Sequence, residues 1–156
     1  METHTQTQHA PDERVSWGEL HGQIVTVKSN VSFKEFSVAG SENVLILNTQ
    51  RQIVFITRRC LDLFGIDDPA EVYGCRIGEM MQCVHSDQGG CGGAKMCKSC
   101  GANNATRASL HGESNTRSFC IKQKHSQKKL TLLIQSKPIT LNGESFILLS
   151  LSEKEV

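Results

Sequence analysis

Aromatic side chains are scarce in this 156-residue chain, at 5% of the residues, and its charges nearly cancel, leaving a formal net charge of +1. Without a basic excess, or many rings on which bases could stack, the composition argues against nucleic-acid binding and gives no electrostatic reason for membrane binding. No apolar run is long enough to span a bilayer. The first residues have neither a positive flank nor an apolar core, so the sequence predicts no secretory signal and a cytoplasmic protein.

What the chain has in quantity is cysteine, seven in all, four of them within the cysteine segment CVHSDQGGCGGAKMCKSC, residues 83–100. In a reducing compartment, clustered cysteines are more often metal ligands or redox groups than disulfides. Four thiolates can close a tetrahedral zinc site or hold an iron–sulfur cluster. The candidate ligands are Cys83, Cys91, Cys97 and Cys100. His85 could replace one thiolate, but four thiolates are sufficient, so we expect it near the metal and outside the ligand set.

The most informative part of this segment is Cys97-Lys98-Ser99-Cys100-Gly101. Two residues between the cysteines let both sulfurs face one point, and the following glycine lets backbone amides turn towards them. Glycines on both sides of Cys91 let the loop close without steric conflict. The open alternatives are free thiols, or a redox dithiol at Cys97 and Cys100, which would leave Cys83 and Cys91 without a role. The other cysteines are expected to pack as small apolar side chains, with Cys75 and Cys120 supplementary ligands at most; they are Cys60, Cys75 and Cys120.

Residues 1–11 are polar and are predicted to be disordered. Within residues 12–40, apolar residues recur at spacings of four and three, which predicts an N-terminal helix. This stripe consists of Leu20, Ile24, Val27 and Val31. Two alternatives stay open for it: the helix packs on its own domain, or it pairs with a second copy of the chain in a homodimer.

The remainder, residues 41–154, has the pattern of an α+β domain. The predicted strands lie at about residues 44–47, 53–56, 116–124, 129–141 and 144–152. Short helices are predicted at about residues 59–65, 67–72 and 101–110. The turn Asn142-Gly143 is the strongest short hairpin signal in the chain. The order of elements predicts a five-stranded antiparallel sheet with these short helices on one face. Its core is expected to include Leu45, Leu47, Ile53, Phe55, Leu132 and Leu148.

Three stretches resemble a PAS sensory domain. They are VLILNTQRQIVF at residues 44–55, LDLFG at residues 61–65 and GESFILLSLSEK at residues 143–154. The motif GCRIGE at residues 74–79, followed by CVHS, GCG and CKSCGA, resembles a cysteine-rich PAS subgroup found in bacterial sensor kinases and related signalling proteins. The resemblance covers about residues 41–154, with the cysteine segment as an insert at residues 83–101.

The resemblance implies a ligand- or redox-sensing module without catalysis of its own, which signals through its sheet and flanking helices, usually as a homodimer. Its partner would be a histidine kinase or another output module. In such kinases a transmitter follows the segment that matches residues 152–154, whereas this sequence stops at Val156. A free-standing sensor and an excerpt of a longer one therefore both stay open.

Three functions compete for the cysteine segment. The first, which we favour, is a redox- or gas-responsive sensor whose iron–sulfur cluster would bias a two-state dimer when its charge changes or it is lost. The second is a scaffold in which Zn2+, which has no redox chemistry, staples the loop. The third is a thiol oxidoreductase that uses Cys97 and Cys100. No proline separates these cysteines, and no thioredoxin-like alternation or acid–base constellation is present, so we expect no enzyme.

Overall fold

A computed structural model describes residues 14–30, 43–80, 101–122 and 129–153 of the chain. The helices are α1 (Trp17–Asn30), α2 (Arg58–Leu63), α3 (Ile77–Met80) and α4 (Gly101–Leu110), with a 3-10 turn at Pro69–Glu71. The strands are β1 (Asn43–Leu47), β2 (Ile53–Ile56), β3 (Asn115–Lys122), β4 (Lys129–Leu141) and β5 (Glu144–Glu153). The strands and the helices α2 and α4 follow the predicted order, with bounds close to the predicted ones. Helix α3 was not predicted, and α1 occupies Trp17–Asn30 within the predicted extension of residues 12–40.

The strands form one antiparallel sheet in the order β2-β1-β5-β4-β3. β3, β4 and β5 form a meander, and both residues of the β4–β5 turn have positive φ, 50° at Asn142 and 79° at Gly143, as a tight hairpin turn requires. β5 then lies beside β1, with Asn43 opposite Leu151. The predicted α+β fold with a five-stranded antiparallel sheet is confirmed.

One face of the sheet is covered by α2, α3 and α4, which share a single apolar cluster with the inward side chains of the strands. Its strand members include Leu45, Leu47, Ile53, Leu132 and Leu149, none of them measurably exposed. The helices contribute Cys60 and Leu61 from α2, Ile77 and Met80 from α3, and Ala105 from α4. The two helices that flank the cysteine segment are therefore seated on the same core.

The other face of the sheet is covered by α1. Leu20 and Val27 are buried there in a second apolar cluster, together with Ile46, Phe55 and Phe146. The apolar stripe of α1 thus packs on its own domain, one of the two predicted alternatives, while Val31 lies outside the described residues. The division into a tail, an extension (12–40) and a domain stays a prediction.

Of the six predicted core residues, five are buried and Leu148 is half-buried on the α1 face. No helix in the described ranges has the length and apolar character needed to cross a membrane.

Leu148 and Leu149 offer a matched test, because they are neighbours on β5 with side chains on opposite faces. Leu149→Ala should lower the free energy of unfolding by about 2–5 kcal/mol, since it leaves a cavity in the fully buried cluster. Leu148→Ala should cost clearly less, because its side chain is already partly exposed. Urea unfolding with an unchanged m-value would measure both. Equal losses for the two variants would contradict this assignment of the faces.

Candidate functional site

The cysteine segment joins α3, which ends at Met80, to α4, which begins at Gly101. The candidate metal ligands and the neighbouring histidine all lie outside the described residues; they are Cys83, Cys91, Cys97, Cys100 and His85. Their assignment stays a prediction. The structure describes what holds the two ends of the segment.

The trailing end is held by α4, which begins directly after Cys100 and has no acidic residue in its first turn. The N-terminus of α4, the positive end of its helix dipole, therefore comes directly after the candidate ligand Cys100. This position favours the negatively charged thiolate form of the cysteine. Buried hydroxyls attach α4 to the sheet. The Ser136 hydroxyl on β4 donates to the carbonyl of Ala105 at 2.8 Å and accepts from the Ser109 hydroxyl at 2.8 Å. These bonds are neutral and shielded from water, so they hold α4 firmly on β4.

The leading end is held by Glu79 of α3. Its carboxylate accepts a hydrogen bond of 2.9 Å from the backbone N–H of Arg76, which closes the start of this short helix. The same carboxylate receives both Nη groups of Arg14, at 3.1 and 2.6 Å. Burial raises the pKa of Glu79, but the hydrogen bonds from Arg14 and Arg76 and their positive charges outweigh burial and hold the pKa below its usual value. Glu79 is thus a charged link from α3 to the residue that leads into α1.

The buried side chain of Gln52 connects the same parts of the fold. Its Oε1 accepts from the backbone N–H of Val15 at 3.0 Å and from Nδ2 of Asn48 at 3.2 Å. Its Nε2 donates to the carbonyl of Gly74 at 3.2 Å, which also accepts from Arg14 at 3.2 Å. One amide therefore ties the start of α1, the β1–β2 turn and the chain before α3 together.

Gly74 lets α1 approach this point closely. Its φ is +86°, and a methyl group on its Cα would lie 3.0 Å from Cδ2 of Leu20 and 3.9 Å from the Trp17 ring. A larger residue there would be strained and would push α1 away. We call the group formed by Arg14, Gln52, Gly74 and Glu79 the α1–α3 joint.

Sequence reasoning did not identify the α1–α3 joint. Arg14 and Glu79 are 65 positions apart, so no local pattern relates them. The one local signal is Glu79 itself, an acidic residue at the third position of a short helix, where a carboxylate commonly reaches back to the first backbone N–H.

Cys60 and Cys75 are the cysteines whose side chains the structure describes, and both are free thiols. Burial raises the pKa of Cys60 to about 12. The pKa of Cys75 is also raised, chiefly by burial and then by the charge of Glu79, against the opposing charge of Arg14. Both are therefore protonated at neutral pH and poorly suited to bind metal or to react. Within the described ranges, no three His, Cys, Asp or Glu side chains are grouped so that they could hold a metal ion.

Two surface clefts are lined by described residues. One, of about 620 Å³, lies between α2 and the adjoining ends of β1 and β5, with Asn43, Arg59 and Glu153 in its wall. The other, of about 440 Å³, lies on β3–β5 beside Gln135 and Ser150. No described cysteine lines either cleft, and the wall of each cleft mixes polar and apolar groups.

No family model matches the sequence, and no curated protein matches it. Solved structures do resemble the fold. The PAS domain of an HTR-like protein from Haloarcula marismortui is 14% identical, with a TM-score of 0.50 over 78% of this chain and 96% of that one. A PAS domain from Desulfitobacterium hafniense is 11% identical, with a TM-score of 0.52 over 72% and 92%. A fungal LOV domain photoreceptor is 15% identical, with a TM-score of 0.52 over 73% and 75%. At these identities the likeness concerns the fold alone.

The charge of Glu79 provides a pH-dependent test of the α1–α3 joint. Glu79→Gln should lower the free energy of unfolding by about 1 kcal/mol at neutral pH, because glutamine keeps the hydrogen bond to Arg76 but loses the ion pair with Arg14. Since the pKa of Glu79 is lower in the folded chain than in the unfolded one, the ion pair stabilises the fold above the unfolded-state pKa. This contribution is lost as the pH falls through the folded-state pKa.

Urea unfolding of wild type and Glu79→Gln should therefore show a gap at neutral pH that closes in acid. The control is Asp62→Asn, which breaks the more exposed Arg58–Asp62 pair and should change stability less. A gap of constant size from neutral to acid pH would contradict the role given to the Glu79 charge.

Proposed function

We propose that this chain, which has the fold of a PAS domain, is a sensory or signalling module whose input is the cysteine segment between α3 and α4. The observation that supports the proposal concerns the helices on either side of this segment. Both α3 and α4 are seated on the apolar cluster beneath the sheet, so a change that moves either helix would act on the core of the domain. The fold serves binding and signalling in unrelated chains, so the argument for function rests on this segment.

The favoured input is a redox- or gas-responsive metal centre held by four thiolates. The donor set suits an iron–sulfur cluster, with Zn2+ as the alternative; the ligands would be Cys83, Cys91, Cys97 and Cys100. An iron–sulfur cluster would supply a change of charge when it is oxidised or lost. The start of α4 after Cys100, together with Lys95 and Lys98, would offset the negative charge of the thiolates. His85 would lie outside the ligand set.

The output would be a partner protein, such as a histidine kinase or another output module, reached by rearrangement of a homodimer. The fungal photoreceptor that resembles this fold belongs to a pathway that integrates blue light and oxidative stress, and the input proposed here is of a related kind. Clustered cysteines that bind metal are typical of reducing compartments, so we propose a cytoplasmic location. We propose no nucleic-acid or membrane partner and no catalysis.

Protein purified without oxygen should contain iron and sulfide and absorb visible light, because four thiolates in a short segment can anchor such a cluster. Serine at any one of the four ligand positions should lower the bound metal sharply, whereas His85→Ala should retain it. Cys75→Ser is the matched control, since this thiol is half-buried and protonated. Colourless protein with one zinc would favour the scaffold, and protein without any metal would remove the metal centre.

A homodimer formed through α1 would have to use the side chains of the helix that stay exposed, since the apolar stripe is buried against the sheet. Trp17 is 77% exposed and Val25 is 49% exposed, the two large apolar side chains of α1 that stay open to solvent. Replacing both by serine should shift the chain towards the monomer in light scattering at micromolar concentration. The variant Leu148→Ala, altered beneath α1, should keep the oligomeric state of the wild type. A monomeric wild type would contradict the homodimer.

A further inference from the structure

The two ends of the cysteine segment are held by bonds of different strength. At the trailing end, Ser109 and Ser136 are each 3% exposed, and their hydroxyl bonds fix α4 to the middle of the meander. At the leading end, the Arg14–Glu79 pair is partly exposed, at 38% and 25% of the two side chains. Water and salt weaken an exposed ion pair far more than a buried neutral bond. Although Ile77 and Met80 of α3 are buried in the apolar cluster, the polar contact of the leading end is therefore the weaker of the two.

The elements joined at the leading end depend on each other for their positions. α3 has only four residues, three of them buried, and α1 has fourteen, two of them buried. Helices of these lengths are marginal by themselves, so their tertiary contacts decide whether they stay in place. Of the two, α1 has few buried residues for its length, and elements of that kind open locally at low free-energy cost.

Residues 73–79 contact α1 and the residue that leads into it at separate points. Besides the Arg14–Glu79 pair at one end, the ammonium group of Lys28 lies 5.5 Å from the centre of the Tyr73 ring at the other. Between them Leu20 packs over Gly74. A displacement of this stretch therefore changes two contacts of α1 and the ion pair of the residue that leads into it.

We propose that the α1–α3 joint is a conformational coupling element, through which displacement of α3 loosens α1 from the sheet and loosening of α1 in turn displaces α3. The proposal rests on the proposed function, since it assigns the route by which the cysteine segment reaches an outer helix. Coupling of this kind is reciprocal by thermodynamic necessity. It is therefore testable from the α1 side, without any metal.

Arg14→Ala removes one partner of the joint and alters neither α3 nor any cysteine. In metal-free, reduced protein it should raise the rate at which a thiol reagent modifies the cysteine segment by about fivefold, the effect of a modest coupling energy. Hydrogen exchange of residues 17–30 should rise by a similar factor. Glu79→Gln should give both effects in weaker form, because Arg14 keeps its hydrogen bond to the carbonyl of Gly74. Adding Glu79→Gln to Arg14→Ala should change nothing further, because Arg14→Ala already removes the pair.

Arg58→Ala is the matched control. Arg58 also makes three hydrogen bonds, to Asp62 and to the carbonyls of Ile66 and Asp67, yet it contacts neither α1 nor α3. It should leave both rates unchanged. If Arg14→Ala does not fold, Arg14→Lys, which keeps the charge but loses the two-point contact, should give the same effects in weaker form. Rates equal to wild type, equal effects for Arg14→Ala and Arg58→Ala, or additive effects in the double variant would each overturn the proposal.

A second arm separates the coupling from the sensory function. Zn2+ added to reduced wild type should change the fluorescence of Trp17, the single tryptophan of the chain, and Glu79→Gln should abolish that change while binding the same amount of zinc. If zinc does not bind, but Arg14→Ala still raises the rates of thiol modification and of hydrogen exchange, the metal centre is wrong and the coupling is supported. If zinc binds and changes the fluorescence of Trp17 equally in wild type and Glu79→Gln, the coupling is wrong and the metal centre is supported.

Discussion

The fold depends on two strands that have no polar side. All four residues of β2 are buried, and so are four of the five in β1. Because side chains alternate along a strand, such strands direct apolar side chains to both faces of the sheet. Other elements must therefore cover both faces. The helices α2, α3 and α4 cover one face, and α1 covers the other. α1 is therefore a required part of the domain, and its position relative to α3 follows from this demand.

Apolar contact alone would not hold α1 in one place, because it has no direction. The buried amides of Gln52 and Asn48 add direction. Gln52 has partners on both its oxygen and its nitrogen, while Asn48 binds within its turn through Oδ1 and reaches Gln23 on α1 through Nδ2, at 2.9 Å. A buried amide without partners costs free energy, so any sliding of α1 would break these bonds without replacing them. The polar bonds thus select one position from the many that the apolar surfaces permit.

The sequence predicts most of the sheet, because its signals are local. The Asn142-Gly143 turn, the alternation along β4 and β5 and the helix after Cys100 each lie within a few residues. The partner of α1 is not a local property, since a stripe of period 3.6 fits its own sheet and a second copy equally well. The uninterrupted apolar run Ile53–Ile56 was the available sign that a second layer was needed. The α1–α3 joint could not be predicted, because the residues of its ion pair, Arg14 and Glu79, are 65 positions apart. The assignment of the metal ligands rests on cysteine spacing alone.

The strand order has a consequence for biosynthesis. β1 sits between β2 and β5, yet Leu151, which pairs with Asn43, is translated 108 residues later. Until then a nascent chain carries one of its most apolar strands with an open edge, the kind of surface that aggregates. The β1–β2 hairpin can form early, but the central pairing of the sheet cannot. A ribosome-bound chain of this kind is a natural client for a chaperone that shields exposed strands, and slow translation of the β3–β5 meander would lengthen the period of exposure.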